Sequence, residues 1–343
     1  MRITIRDIAE KAGVSKTAVS FAFNRPERIS SETRSRIHRI AEELGYVPDP
    51  VARTLAGRRI GTIGLLLPQS VAEVFRNPYM AELLQGIGAV CQREGLTTSL
   101  IPPLKGMVSL AIRSAMVDGL ILFGIGLDRG IGRLLEQRRL PFVTVDGEPA
   151  AGAPNVGIDD EQAAFRLMEH VLSLGHRRVQ IIGLHSIPHT LTDAGGSRTA
   201  ERRLLGFRRA LDAHGLRLGR DGVHTHSAEG SVPAAAALAG RILSAEPRPT
   251  AIVCMSDVAA FGVYRACQEL GIGIPAALSV AGFDDLALSP LLAPPLTTVH
   301  QPGFHKGKQA AALVLGLLQG KTKPSVKLDF ELRVRGSTAP PAE

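Results

Sequence analysis

The sequence predicts an all-α head joined by a short helix to an α/β core of two lobes with parallel sheets. Apolar residues repeat at helical spacing as far as Leu44, a short capped segment follows, and strand-like apolar runs alternate with helices from Ile60 onward. A chain of 343 residues has room for two or three domains. The predicted divisions are a head over 1–47, a linking helix over 48–59, and a core over 60–343, with lobe 1 at about 60–158 and 293–322 and lobe 2 at about 159–292 and 323–343.

The first two predicted helices are short and separated by a tight turn. Thr4 and Asp7 fit a capping box at the start of the first helix, and Gly13 ends it. Ser15 can cap a second helix. Ile5, Ile8, Ala9 and Ala12 repeat at helical spacing in the first helix, and the second carries Ala18, Val19 and Ala22 on its buried side. This pattern is typical of a helix-turn-helix, whose second helix enters the DNA major groove; the alternative is two ordinary surface helices at the start of an enzyme.

The exposed face of the second helix carries side chains suited to DNA. Lys16 and Thr17 lie in its first turn, where a recognition helix touches base edges, and Phe21 can meet a thymine methyl. Residues 1–58 hold eleven Lys and Arg against seven Asp and Glu, a net charge of +4 out of +8 for the chain. This local basic excess suits a phosphate backbone. A membrane surface would need an amphipathic basic helix, which the sequence lacks.

A third helix is predicted from Ser30–Ser31 to Leu44, with Gly45 after it. Beyond it, Asp49, Pro50 and Gly57 bound a helix of about seven residues, too short to persist alone in water. Such a helix should fold only against a partner, and its large apolar side chain Leu55 favours that interpretation. A helix-capped polar linker is the alternative.

From Ile60 the sequence alternates between apolar runs and helices. The runs are IGTIGLLLP, DGLILFG, PFVTVD, RVQIIGL, TAIVCMSD and SVAGFD, and the helices fall near 79–94, 161–174, 201–214 and 257–270. This rhythm indicates βαβ units and parallel sheets covered on both faces. Its length favours two lobes.

Ligands of open α/β sheets bind beyond the carboxyl ends of the strands. The polar residues at those positions are Asp146, His185, Ser256, Asp257, Asp284 and Asp285. Arg203, near the start of a helix, can face these carboxylates and orient a polar small molecule. The alternative for each of these residues is that it is only a polar loop residue or a helix cap. Asp257 fits this alternative best, because it opens a predicted helix.

Several motifs resemble the LacI/GalR (lactose-repressor) family of bacterial transcription regulators. They are DIAEKAGVSKTAVSFAFN, SSETRSRI, GYVPDPVARTLAG, IGLLLP, AERRLLGF, AIVCMSDVAAFGVYRACQELGIGIPAALSVAGFDD and PPLTTVHQP. The resemblance extends over most of the chain and implies a periplasmic-binding-protein-like core. It also implies a homodimer, bound to near-palindromic operator DNA, whose affinity for the operator a small metabolite controls.

The resemblance assigns residues to both sites. For DNA it implies Lys16, Thr17 and Phe21 as base readers, Leu55 as a minor-groove wedge, and further contacts from Thr4, Ser15, Ser20, Asn24, Ser30, Thr33, Tyr46, Ala52 and Arg53. For the effector it implies Tyr79, Asp146, Arg203, His226, Ser256 and Asp284. The family often has Arg or His where this chain has Phe21, and Asn or Asp where it has Ser256.

Known catalytic motifs are missing: the sequence contains no GxxxxGK[ST], HExxH or GxSxG. The string from Gly271 to Ala276 resembles a dinucleotide motif, but Pro275 interrupts it. His224 and His226 lack a third metal ligand nearby, so no metal or other cofactor is expected. The sequence favours a regulator, most simply a repressor, over an enzyme.

The remaining alternative is a small-molecule-binding protein of a transport system, which would share the core. Such a protein should carry a signal peptide and no DNA-binding head, whereas MRITIRDIAE has no apolar signal core. Cys91, Cys254 and Cys267 are few and far apart, as expected of reduced thiols. No apolar run approaches the roughly 18 residues of a membrane span. We expect a cytoplasmic, nucleoid-associated protein that responds to a sugar-like metabolite.

Overall fold

The computed structural model describes residues 3–47, 59–127, 129–147, 153–184 and 198–342. The backbone divides into two compact units, Met1–Gly61 and Thr62–Glu343. The predicted linking helix and Leu55 lie outside the described residues, as does His185.

The described part of the first unit contains three α-helices. Its helices are α1 Ile5–Ala12, α2 Lys16–Asn24 and α3 Ser31–Glu43, with a 3₁₀ turn at Pro26–Arg28 between α2 and α3. Ile8, Val19 and Ile37 are fully buried and form the centre of the core that the three helices share. Gly13 adopts φ 62° in the turn between α1 and α2, a conformation that glycine adopts without strain. The predicted helix-turn-helix geometry is confirmed.

The second unit contains two six-stranded sheets. The first sheet comprises β1 Thr62–Leu66, β2 Thr97–Ile101, β3 Gly119–Phe123, β4 Phe142–Val145, β5 Asn155–Gly157 and β11 Val326–Lys327. The second comprises β6 Val179–Leu184, β7 His224–Ala228, β8 Ala251–Cys254, β9 Ser279–Asp284, β10 Thr297–His300 and β12 Glu331–Arg333. Each sheet forms one lobe, as the sequence predicts.

Nine helices in the described part of this unit surround the sheets. They are α4 Val71–Val74, α5 Tyr79–Arg93, α6 Val108–Ser114, α7 Arg129–Arg138, α8 Asp160–Ser173, α9 Arg198–Ala213, α10 Val232–Leu243, α11 Asp257–Leu270 and α12 Gly303–Leu318. The four helices that the sequence predicts correspond to α5, α8, α9 and α11. No helix in the described ranges is both long and apolar enough to cross a bilayer.

The strand order is β11-β5-β4-β3-β1-β2 in the first sheet and β12-β10-β9-β8-β6-β7 in the second. Every recorded pairing is parallel except that of β10 with β12. The carboxyl ends of the strands of one sheet therefore share one edge, where ligand-binding residues are expected.

The predicted lobe boundaries are wrong in two places. The sequence predicts residues 297–300 in lobe 1, but β10 pairs with β9 of the second sheet. It predicts residues 326–327 in lobe 2, but β11 pairs with β5 of the first sheet. The chain thus crosses between the lobes three times, after β5, after β10 and after β11. Two-residue and four-residue strands carry too short a pattern to reveal which sheet they join.

Candidate functional site

Two of the predicted DNA contacts in the head are helix caps. The Ser15 hydroxyl accepts a hydrogen bond from the Ala18 N–H of α2 at 3.1 Å. Ser30 accepts from the Thr33 N–H at 3.2 Å and donates its own proton to the Thr33 hydroxyl at 2.9 Å. Both serines are exposed. Ser15 keeps its hydroxyl proton for a phosphate while it caps α2, whereas Ser30 would have to redirect its proton from Thr33 to meet one.

The start of α1 is held by the predicted capping box. The Asp7 carboxylate accepts from both the N–H and the hydroxyl of Thr4, each at 2.8 Å. These hydrogen bonds lower the pKa of the Asp7 carboxyl. The Thr4 hydroxyl therefore donates within the head, and it would have to turn its proton from Asp7 to a phosphate oxygen to contact DNA.

The outer face of α2 combines exposed and half-buried side chains. Lys16 and Thr17 are exposed, as a base-reading role requires. Phe21 is half-buried, and the Arg28 guanidinium lies 5.8 Å from the centre of its ring. Arg28 thus places a positive charge beside the apolar reader, a neighbour that the sequence did not indicate.

Two further predicted contacts lie deeper in the head. The Asn24 amide donates to the Ser20 hydroxyl at 3.4 Å, while its buried Oδ1 has no hydrogen-bond partner. Tyr46 packs against Phe23, with ring centres 5.6 Å apart. Ala52, Arg53 and Leu55 lie outside the described residues.

In the core, four of the six predicted effector residues come together where the lobes meet. The Tyr79 hydroxyl donates to Asp146 Oδ2 at 3.1 Å within lobe 1. Burial and the Asp146 charge hold the pKa of Tyr79 well above its usual value, so it stays a donor. The Asp146 backbone carbonyl accepts from Thr199 of lobe 2 at 3.1 Å, which links the two lobes directly.

Arg203 is buried on the lobe 2 side. Its Nε donates to Asp160 Oδ1 at 2.9 Å, and its Nη1 donates to the Met255 carbonyl. Its guanidinium carbon lies 3.5 Å from the centre of the Phe283 ring, a cation–π stack. The Asp284 carboxylate is more distant, at 4.0 Å from Nη1. Arg203 is therefore fixed in position before any ligand arrives.

Asp284 ends β9 and has the least satisfied carboxylate of the site. Its Oδ1 accepts from the Gln301 amide at 2.5 Å, but its buried Oδ2 has no partner. Desolvation raises the pKa of Asp284 to about 7, against the opposing charge of Arg203. Its backbone lies at φ 129°, a strained conformation for a residue with a side chain. A buried, unpartnered oxygen in a strained strand end indicates a ligand position.

Two polar side chains that the sequence did not indicate complete the network. Lys306, on α12, donates to Asp146 Oδ1 at 2.5 Å and to Gln301 Oε1 at 2.6 Å. Gln301 lies in the crossover between β10 and α12. A continuous path of hydrogen bonds therefore runs from Tyr79 and Asp146 in lobe 1 to Asp284 in lobe 2.

A close helix crossing explains why Lys306 is buried. Added Cβ atoms at Gly86 and Gly307 would overlap backbone oxygens of the opposite helix, so α5 and α12 approach without side chains between them. Lys306 precedes Gly307 and is 0% exposed. The glycine spacing from Gly303 to Gly307 was the available signal, because small residues one turn apart mark a face that approaches another backbone.

The other two predicted effector residues are placed differently. Ser256 is the N-cap of α11 and accepts from the Ala259 N–H at 3.3 Å. His226, on the edge strand β7, lies within hydrogen-bond distance of Gln180, at 2.7 Å. Desolvation and the charges of its neighbours lower the pKa of His226. No recorded contact joins either residue to the other four within the described part of the chain.

The side chains of Asp257 and Asp285 make their contacts within the fold of lobe 2. The Asp257 carboxylate is fully buried and accepts from the Leu286 N–H and from the hydroxyls of Ser289 and Thr298. Asp285 pairs with Arg333, Arg335 and His300. The helix-cap alternative for Asp257 is wrong, because Ser256 is the N-cap of α11 and Asp257 instead joins the start of α11 to Leu286, Ser289 and Thr298.

Comparison with known proteins extends over the whole chain. The family described as bacterial regulatory proteins, lacI family, matches residues 4–49, and a periplasmic binding protein-like domain matches residues 168–338. An HTH-type transcriptional regulator of Mycobacterium tuberculosis is 33% identical, over 99% of this chain and 98% of its own length.

Two solved structures show the same architecture. The lac repressor dimer, bound to operator and an anti-inducer, matches with a TM-score of 0.80 and 25% identity, over 99% of this chain and 100% of its own. A complex of the transcriptional regulator CelR with cellobiose matches with a TM-score of 0.69 and 25% identity, over 98% of this chain and 100% of its own. The predicted fold class, a helical head followed by a two-lobed α/β core, is confirmed. The chain belongs to the lacI family of bacterial regulatory proteins and is a DNA-binding transcription regulator with an effector-binding core.

Proposed function

We propose that the chain is a homodimeric repressor. A small metabolite, sugar-like in its chemistry, would bind where the lobes meet and control the affinity of the repressor for its operator. The observation that carries this proposal is the unpartnered, buried Oδ2 of Asp284. It lies in a ring of fixed polar side chains, which is the arrangement that orients a small polar ligand. The relative that binds cellobiose supports a sugar-like effector.

In the head, we assign base reading to Lys16, Thr17 and Phe21. The exposure of Lys16 and Thr17 on the first turn of α2 supports this assignment. Thr4, Ser15, Ser20, Asn24, Ser30, Thr33 and Tyr46 are proposed as further contacts that orient the head on the DNA. Phosphate contacts of this kind fix position, and the three readers supply the sequence preference.

Dimerisation is part of the proposal because a single head reads few base pairs. Two heads related by a twofold axis would read a near-palindromic operator. Ala52, Arg53 and Leu55 are proposed to contact the centre of that operator, with Leu55 as a wedge in the minor groove. The lac repressor, which matches along its full length, is a dimer on its operator.

The effector would act by changing the closure of the two lobes. The Thr199–Asp146 and Gln301–Asp284 hydrogen bonds lie at the site and join the two lobes. A ligand bound there would therefore contact both lobes. Coupling between effector and operator sites is reciprocal, and operator DNA must shift effector affinity by the same factor. We propose further that the protein works in the cytoplasm and by binding alone, as its regulator relatives support.

The test is calorimetric titration of the full chain with cellobiose, D-ribose and a panel of nucleosides, with and without operator DNA. We expect one compound to bind, and its affinity to change by about 5- to 150-fold when operator is present. The matched variant Asp284→Asn should lose most of the affinity for that compound and keep operator binding. Effector affinity that is identical with and without operator would contradict allosteric control.

A further inference from the structure

The two cations of the site, Lys306 and Arg203, are each already paired with a carboxylate. Lys306 Nζ lies 2.5 Å from Asp146 Oδ1, and Arg203 Nε lies 2.9 Å from Asp160 Oδ1. All four side chains are buried in the described structure, with Lys306 at 0% exposure. A buried ammonium or guanidinium is tolerated only with a partner, because it loses its hydration. Each cation therefore has a dedicated carboxylate.

Lys306 is held more firmly than a single ion pair requires. Gln301 Oε1 accepts a second hydrogen bond from its ammonium at 2.6 Å, and the Tyr79 ring centre lies 5.5 Å from Nζ. The Tyr79 hydroxyl donates to the other oxygen of Asp146. Asp146 thus has a protein donor on each oxygen, and Lys306 has two protein acceptors.

The third carboxylate of the site is different. Asp284 Oδ2 has no partner, and Arg203 lies 4.0 Å from the other oxygen while it is bonded to Asp160. Desolvation is the main cause of the raised pKa of Asp284 and outweighs the opposing charges of Arg203 and Lys306, which agrees with cations that are committed to other carboxylates. Among the described residues, the group left open to a ligand is consequently an acceptor of hydrogen bonds, and its nearest cation, Arg203, is committed to Asp160.

From this pairing we propose that Lys306 is a specificity-determining residue: as the committed counter-ion of Asp146 it leaves the site closed to anions and selects an uncharged, hydrogen-bond-donating effector. A phosphorylated or carboxylated metabolite would place a negative charge near three carboxyl groups and would have to take a cation from one of them. A hydroxyl or amide N–H of a neutral ligand satisfies Asp284 at no such cost. This inference rests on the proposed function, because it names the class of effector for the same site.

The experiment measures binding of inorganic phosphate by calorimetry at constant ionic strength. The full chain is compared with Asp146→Asn and with the double variant Asp146→Asn/Lys306→Met. In the Asp146→Asn variant the ammonium loses its carboxylate, so we expect phosphate to bind at least ten-fold more tightly than to the unaltered chain. The phosphate affinity of the double variant should return to that of the unaltered chain. Any phosphate that binds to the head contributes equally in all three proteins and does not affect the comparison.

The proposal would be overturned if the unaltered chain bound phosphate and the double variant did not, since Lys306 would then be an anion ligand. An Asp146→Asn variant that folds, by its circular dichroism spectrum, and gains no phosphate affinity would also overturn it. If that single variant does not fold, the phosphate affinities of the unaltered chain and of the charge-neutral double variant still test the proposal. Equal affinities support it, and a lower affinity of the double variant contradicts it. Failure of cellobiose, D-ribose and the nucleosides to bind would instead count against the proposed function, because phosphate titration does not depend on the effector.

Discussion

The head and the core build their polar sites in opposite ways. In the head, the recorded side-chain contacts of Thr4, Ser15 and Ser30 reach residues three positions along the chain and lie at the surface. In the core, Lys306 reaches Asp146 across 160 positions and both side chains are buried. The head can therefore lose one polar contact and refill it with water, whereas the core cannot. Burial, more than residue type, sets how much each side chain contributes to stability.

The largest expected effect comes from removing a buried cation. Arg203→Met should destabilise the core by about 3 to 5 kcal/mol, because it leaves Asp160 buried without its counter-ion. Urea unfolding followed by circular dichroism measures this change. A loss below about 1 kcal/mol would show that Asp160 is hydrated in solution and that the pair resembles a surface pair.

Arg209→Met is the matched control, since both arginines lie on α9. Arg209 pairs with Glu161, but their side chains are 46% and 39% exposed. Its replacement should change the free energy of unfolding by no more than about 1 kcal/mol.

The second effect is a pH dependence that arises from Asp284 in the core. Desolvation raises the pKa of Asp284 from 3.8 to about 7, so between these values the folded protein holds a proton that the unfolded chain has released. Stability should then fall as the pH rises through this window, and the penalty should be complete above it. Three pKa units correspond to about 4 kcal/mol, an upper value for this contribution.

Asp284→Asn removes the titrating group and retains an acceptor for Gln301. The advantage of the variant over the unaltered chain in urea unfolding should therefore grow as the pH rises from 4 to 8. Asp221→Asn is the control, because Asp221 also has positive φ but a partly exposed side chain paired with Arg217. Parallel pH profiles for Asp284→Asn and the unaltered chain would contradict the assignment.

The same contrast explains what the sequence could predict. Caps such as Ser15 and Ser30, the turn at Gly13, and the apolar strands were readable because each depends on neighbours a few residues away. Edge strands were not: β2, with sequence TTSLI, is half-buried along most of its length and lacks the apolar run of a strand covered on both faces.

In the core site, Asp146, Arg203 and Asp284 were predictable because strand ends concentrate ligand contacts. Lys306 and Gln301 were not, since they lie at a crossover between lobes and their partners are distant in sequence. Lys306 also stands among other polar residues in FHKGKQ, where a lysine is ordinarily exposed. Only the approach of α5 to α12 buries it.

The smallest of these effects should come from a surface cap in the head. Ser15→Ala removes the hydrogen bond to the Ala18 N–H, which should destabilise the head by about 1 kcal/mol. Ser35→Ala, at an exposed position inside α3, is the control and should have little effect or slightly stabilise the helix. Hydrogen exchange of the α2 amides measures the loss locally, and electrophoretic mobility shift with operator DNA measures binding. If Ser15 only caps the helix, operator affinity should fall by no more than the loss of stability explains. A larger fall in operator affinity, with hydrogen exchange changed by only about 1 kcal/mol, would mean that the Ser15 hydroxyl also contacts a phosphate. One exposed side chain of the head would then serve both tasks, as the buried Arg203 is proposed to do in the core.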